Sequence, residues 1–80
     1  MLKLNKSEVE SFIEDAPLDN ILTITYDGVT LHFFRRNIHC DVKKESESLL
    51  IKRRDGKRFL INIGDISSMT TFPVEKGVAV

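Results

Sequence analysis

The stretch ILTITYDGVTLHFF, residues 21–34, limits what this chain can fold into more than any other feature. Two runs of alternating residues flank an Asp27-Gly28 pair. A two-residue loop between antiparallel strands needs positive φ at both central positions, which Asp-Gly tolerates well. Such a loop sets Tyr26 against Val29, Ile24 against Leu31 and Leu22 against Phe33, so these apolar residues share one face. The other face shows Thr25 opposite Thr30, Thr23 opposite His32 and Ile21 opposite Phe34. Turn chemistry and face pattern agree, and together they predict a hairpin.

A second Asp-Gly pair sits in LLIKRRDGKRFLINI, residues 49–63. Here a two-residue loop scatters the apolar residues over both faces. A three-residue loop, Arg54-Asp55-Gly56 with Gly56 left-handed, instead pairs Ile51 with Phe59 and Leu49 with Ile61. Ile63 joins that face, and Leu50, Lys52, Arg58, Leu60 and Asn62 take the other. Between the two hairpins the apolar parity shifts to Ile38, Cys40 and Val42. A slip of one residue within a strand would expose the core face, so a turn is expected at Arg36-Asn37, pairing Phe33 with Cys40 and Leu31 with Val42. A β-bulge in one long bent strand is the alternative.

The N-terminal segment NKSEVESFIEDAP predicts a helix over 6–16. With Asn5 as N-cap, Glu8 falls at the third helical position and Leu4 and Val9 form a hydrophobic staple; with Ser7 as N-cap, Glu10 completes the capping box. Val9, Phe12, Ile13 and Ala16 share a face, and Pro17 ends the helix. Toward the other end, GDISSM predicts one helical turn capped by Asp65, with Ile66 and Met69 inward, and TTF a last short strand.

These elements predict an α+β, mainly β, single domain over residues 1–73. A helix at 6–16 precedes strands at about 20–26, 29–35, 38–44, 48–54, 57–63 and 69–72, and 74–80 form a flexible tail. A five- to six-stranded antiparallel meander of this kind removes its exposed edges by closing. The expected architecture is therefore similar to small SH3-like and Sm-like barrels, although no family motif accompanies it. An open meander with the helix on one face satisfies the same pattern. No internal repeat, linker or low-complexity tract is expected.

Eighty residues support one small core and leave little interior for an elaborate site. The formal net charge of zero hides a gradient: residues 1–34 sum to −4, 35–58 to +5 and 59–80 to −1. One cysteine, Cys40, fits a reducing compartment, and no segment reads as a signal peptide or membrane span, so a cytoplasmic protein is expected.

No glycine-rich phosphate loop, HExxH, CxxC or Gly-x-Ser-x-Gly motif is present, so no enzyme activity and no cofactor are expected. If the turn at Arg36-Asn37 forms, His32 faces Asp41 with His39 diagonal to it, a set of metal-ligand type; an ordinary cross-strand pair explains the same residues. The basic tips supply a second candidate. Lys52, Arg53, Arg54, Lys57 and Arg58 crowd one hairpin, with Arg35 and Arg36 at another turn, and Phe34 and His39 offer stacking surfaces. If the tips share a rim, they suit a nucleic-acid phosphate backbone; otherwise they are charged turns that keep the chain soluble. A third set, Ile21, Phe34, Leu50 and Leu60, is apolar on the face opposite the core and suits a protein interface. A non-catalytic protein-interaction or assembly module is the leading expectation, its partner another protein or a second copy, with no role for a membrane. Nucleic-acid binding is the alternative.

Overall fold

The computed structural model describes residues 4–74. Helix α1 (Lys6–Asp15) begins at Asn5: the Asn5 Oδ1 accepts the Glu8 N–H at 2.9 Å, and Glu8 Oε1 accepts the Asn5 N–H at 3.2 Å. The first of the two predicted caps is the one used. Leu4 packs on the core as the staple requires, and Val9, Ile13 and Ala16 are buried. The helix stops one residue short of the predicted end, with Ala16 as its C-cap.

Strands β1 (Asn20–Tyr26) and β2 (Val29–Phe34) form the first hairpin in the predicted register, from Tyr26↔Val29 to Ile21↔Phe34. Asp27 and Gly28 both take positive φ, 49° and 76°. Strands β4 (Ser48–Arg53) and β5 (Arg58–Asn62), which flank the second Asp-Gly pair, set Ile51 against Phe59 and Leu49 against Ile61, and Gly56 has φ 95°. The three-residue loop is confirmed by the Gly56 N–H, which donates to the Arg53 carbonyl at 3.0 Å.

The connection between hairpins differs from expectation. Residues Arg35–Asn37 form a 3-10 turn, η1, rather than a two-residue hairpin loop, and β3 (Ile38–Lys43) leaves β2 altogether. It pairs with β4 instead, setting Ile38 against Arg53, Cys40 against Ile51 and Val42 against Leu49. The shift in apolar parity thus marks a change of sheet. It does not mark a turn within one sheet. A second 3-10 turn, η2 (Ile63–Asp65), does the same after β5. Its cap is Asn62, whose Oδ1 accepts the Gly64 N–H at 3.0 Å, so Asp65 is not the capping residue. Strand β6 (Ile66–Pro73) follows directly, longer than predicted, and pairs with β1. The predicted tail lies outside the described residues except for Val74.

The fold is α+β and mainly β, with all strands antiparallel in two three-stranded sheets of order β2-β1-β6 and β3-β4-β5. Among the described residues neither sheet closes on itself or joins the other by strand pairing, so the strands do not show the closed barrel expected from the sequence. Leu22, Ile24, Leu49, Ile51 and Ile61 lie at the centre of one core shared by both sheets, and Val9 and Ile13 of α1 pack into it. Among the described residues no buried side-chain polar atom lacks a hydrogen-bond partner.

The order strand, strand, 3-10 turn, strand occurs twice, and each unit gives its third strand to the other unit's sheet. When Asp27 is aligned with Asp55, Leu31 matches Phe59, Phe33 matches Ile61 and Ile38 matches Ile66. Ahead of the turn, after allowing for the extra loop residue, fully buried Leu22 and Ile24 match fully buried Leu49 and Ile51. This repeat escapes the sequence because the loops differ in length by one residue and, beyond the Asp-Gly pair and a few Leu and Ile positions, only apolar character is shared.

Candidate functional site

In a two-residue hairpin the residues flanking the loop exchange both backbone hydrogen bonds, and the bonding pairs then alternate along the ladder. Pairs Tyr26–Val29, Ile24–Leu31 and Leu22–Phe33 therefore bond across β1 and β2. The backbone groups of Thr30 and His32 and the N–H of Phe34 face away from β1, where β2 has no strand partner among the described residues; the Phe34 carbonyl caps η1. A groove of about 470 Å³ opens along that edge. His32, Phe33 and Phe34 all line it. Successive side chains of a strand point to opposite faces, so three in a row meet one groove only along the strand's edge.

The opposite wall comes from Asn37 and Ile38 and from the β4–β5 turn, through Arg53, Arg54 and Asp55. The turn is fastened there: the Arg54 N–H donates to the Asn37 carbonyl at 2.9 Å. Asp55 organises the tip, since its Oδ1 accepts the Lys57 N–H at 3.1 Å and its other oxygen accepts from the Arg53 guanidinium. The Lys57 N–H chiefly, with the Arg53 charge, holds the Asp55 carboxyl below the usual carboxylate range.

The basic residues divide by how they are engaged. Arg35 turns inward and donates to the Ile13 and Ile38 carbonyls at 3.4 and 3.3 Å, tying α1 to β3. Arg36 pairs with Asp19, and Arg53 with Asp55. Lys52, Arg54, Lys57 and Arg58 form no ion pair among the described residues. The hairpin tip does lie against η1, but the Arg35 and Arg36 charges are occupied there, so the rim is narrower than the sequence suggested. On the outer face of the second sheet, His39, Lys52 and Arg58 stand in one cross-strand row.

The metal-ligand set is not assembled. His32 sits in the first sheet, its Nδ1 2.9 Å from Thr23 Oγ1, while His39 and Asp41 belong to β3 in the second. Asp41 faces Leu50 and pairs with Lys43 at 2.9 Å; the Lys43 hydrogen bond and charge hold its carboxyl below the usual range. Among the described residues no cluster of three or more His, Cys, Asp or Glu is placed to share an ion. Cys40 faces the core as expected, and burial pushes its thiol up, against the opposing pull of Arg35.

The four interface candidates also separate. Ile21 is buried and Phe34 half-buried on the first sheet, whereas Leu50 is half-buried and Leu60 69% exposed on the second. Phe72, paired with Ile21 on β6 and exposed, completes the first group; its place beside Ile21 follows from the β1–β6 pairing, which carries no local sequence signal. The free edge of β2 was equally hidden, since an edge is a property of pairing and carries no residue signature. No helix among the described residues is long and apolar enough to cross a membrane. Comparison with protein-family models, with curated proteins and with solved structures finds no match to this chain.

Proposed function

We propose that the protein is a non-catalytic interaction module that binds an extended, acidic segment of a partner protein along the free edge of β2. The reading rests on one observation: the unpaired edge at His32 and Phe34 opens onto a wall carrying Arg53 and Arg54. A partner strand laid there gains main-chain hydrogen bonds from Thr30, His32 and Phe34, the mode called β-augmentation. Its residues on the rim meet Arg54, which has no carboxylate partner among the described residues, so a Glu or Asp is selected there. Phe33 and Ile38 give the groove an apolar floor. The frame is SH3-like in proportion, a small two-sheet β domain that presents a site on a rigid edge. The reducing cytoplasm, which suits a chain with one thiol, is the compartment we assign to it.

A second reading has its own support. Phe34 and His32 on one wall and Arg54 on the other also suit a base stacked beside a phosphate, as in single-stranded nucleic-acid binding. Fluorescence anisotropy with two labelled probes, an alternating Val/Glu peptide and an oligo-dT, separates the two. The peptide should bind, with affinity lost in Arg54→Glu and in His32→Pro. Proline at position 32 removes an outward N–H while sparing the β1 ladder. Binding of oligo-dT alone, falling steeply with salt, would transfer the site to the second reading; binding of neither would remove both.

A further inference from the structure

We infer that β5 pairs with the β5 of a second copy of this chain, about a two-fold axis at Leu60. The evidence lies on the second sheet, away from the groove. Among the described residues β5 hydrogen-bonds to β4 alone. Bonds at both ends of that ladder fix which backbone groups are free: the Arg53 N–H donates to the Lys57 carbonyl at 2.8 Å, and the Ile63 N–H to the Glu47 carbonyl at 2.9 Å. By alternation Ile51–Phe59 and Leu49–Ile61 are the bonding pairs, so Arg58 and Leu60 turn their N–H and C=O outward and Asn62 its N–H, while the Asn62 carbonyl caps η2. Leu60 is the middle residue of β5 and, among the described residues, the most exposed of the large apolar side chains, at 69%. Its neighbour across the ladder is Leu50.

The self-pairing register follows from charge and shape. An axis at Leu60 sets Leu60 against Leu60 and Arg58 against Asn62. The apolar row then runs Leu50, Leu60, Leu60, Leu50 across the junction, with Asp41 at each end. The flanking row carries His39, Lys52 and Arg58 of one copy into Asn62, Ser48 and Lys43 of the other, and no like charges meet at the seam. Moving the axis to Arg58 opposes two guanidinium groups, moving it to Phe59 puts Arg58 on Leu60, and moving it to Asn62 runs the partner into η2. Like charges directly opposite destabilise a pair; the register centred on Leu60 avoids them and lays leucine on leucine. The result is a continuous six-stranded sheet. Pairing over five residues buries a small area, so the dimer is weak and concentration-dependent, not obligate.

Sedimentation velocity over a concentration series tests this on the full chain. The wild type should move from monomer toward dimer, while Leu60→Lys and Leu60→Pro should raise the dissociation constant by about tenfold or more. Circular dichroism must show each variant folded. Mild oxidation supplies the register: in a Cys40→Ser background, Leu60→Cys should yield a covalent dimer and Asn62→Cys should not. A wild type that stays monomeric throughout, a dimer unmoved by both Leu60 variants, or preferential cross-linking through Asn62→Cys would each overturn the inference.

Discussion

At the scale of single residues, the site depends on a hairpin tip whose geometry is set by Gly56 and Asp55. Gly56 has φ 95° with open space around the place a Cβ would occupy, so any cost of substitution comes from the backbone. Gly56→Ala is expected to lower stability by about 1 kcal/mol, read by urea denaturation. The same change should loosen the tip and weaken peptide binding. Cys40 gives a pH-dependent test. Burial raises its pKa in the folded chain, so the folded state keeps the thiol proton at a pH where the unfolded chain loses it. Stability linked to Cys40 is therefore intact below the ordinary thiol pKa and falls as pH rises through and above it. Alkylation of the native protein should show its rate inflection above the ordinary thiol pKa, and Cys40→Ser should remove that alkaline loss of stability.

At the scale of elements, α1 has its own test. Asn5→Ala removes the side-chain half of the capping box and should cost about 1 kcal/mol, with Asn5→Asp close to wild type in a thermal melt. The elements most legible in the sequence were those whose local chemistry decides their geometry. Asp27-Gly28 fixed one loop, the apolar pairing across Arg54-Asp55-Gly56 fixed the other, and the Asn5–Glu8 and Ser7–Glu10 spacings narrowed the helix start to two caps. What escaped depends on tertiary pairing. Arg35-Arg36-Asn37 carries no signal that separates a hairpin turn from a 3-10 turn between sheets, because either one accounts for the apolar shift at Ile38. The metal-ligand juxtaposition of His32 with Asp41 fell with that turn. Of the candidate site, Phe34, Arg53 and Arg54 were named in advance and do meet, but for a reason the sequence did not hold: β3 pairs with β4, and this brings the tip beside Asn37.

At the scale of the molecule, exchange of the third strands joins the two repeats into one cooperative unit. β3 is continuous in chain with the first repeat but completes the second sheet, and β6 does the reverse. Neither sheet can lose its core without exposing a strand of the other repeat. Leu49→Ala, at a fully buried position, should cost roughly 2–5 kcal/mol and lower the unfolding midpoint of both sheets together. Amide hydrogen exchange reads this directly: β1 and β4 should lose protection by the same increment, and loss confined to β4 would mean independent sheets. The same exchange of strands places the β2 edge against the wall that carries Arg53, Arg54 and Asp55. The most direct test of the binding site is an amide NMR titration with the alternating Val/Glu peptide. Shifts should concentrate on Thr30, His32, Phe34 and Arg54, and the His32 amide should become protected from exchange in the complex. Shifts confined to the β3-β4-β5 sheet, or a His32 amide that stays unprotected when the peptide is saturating, would contradict the account.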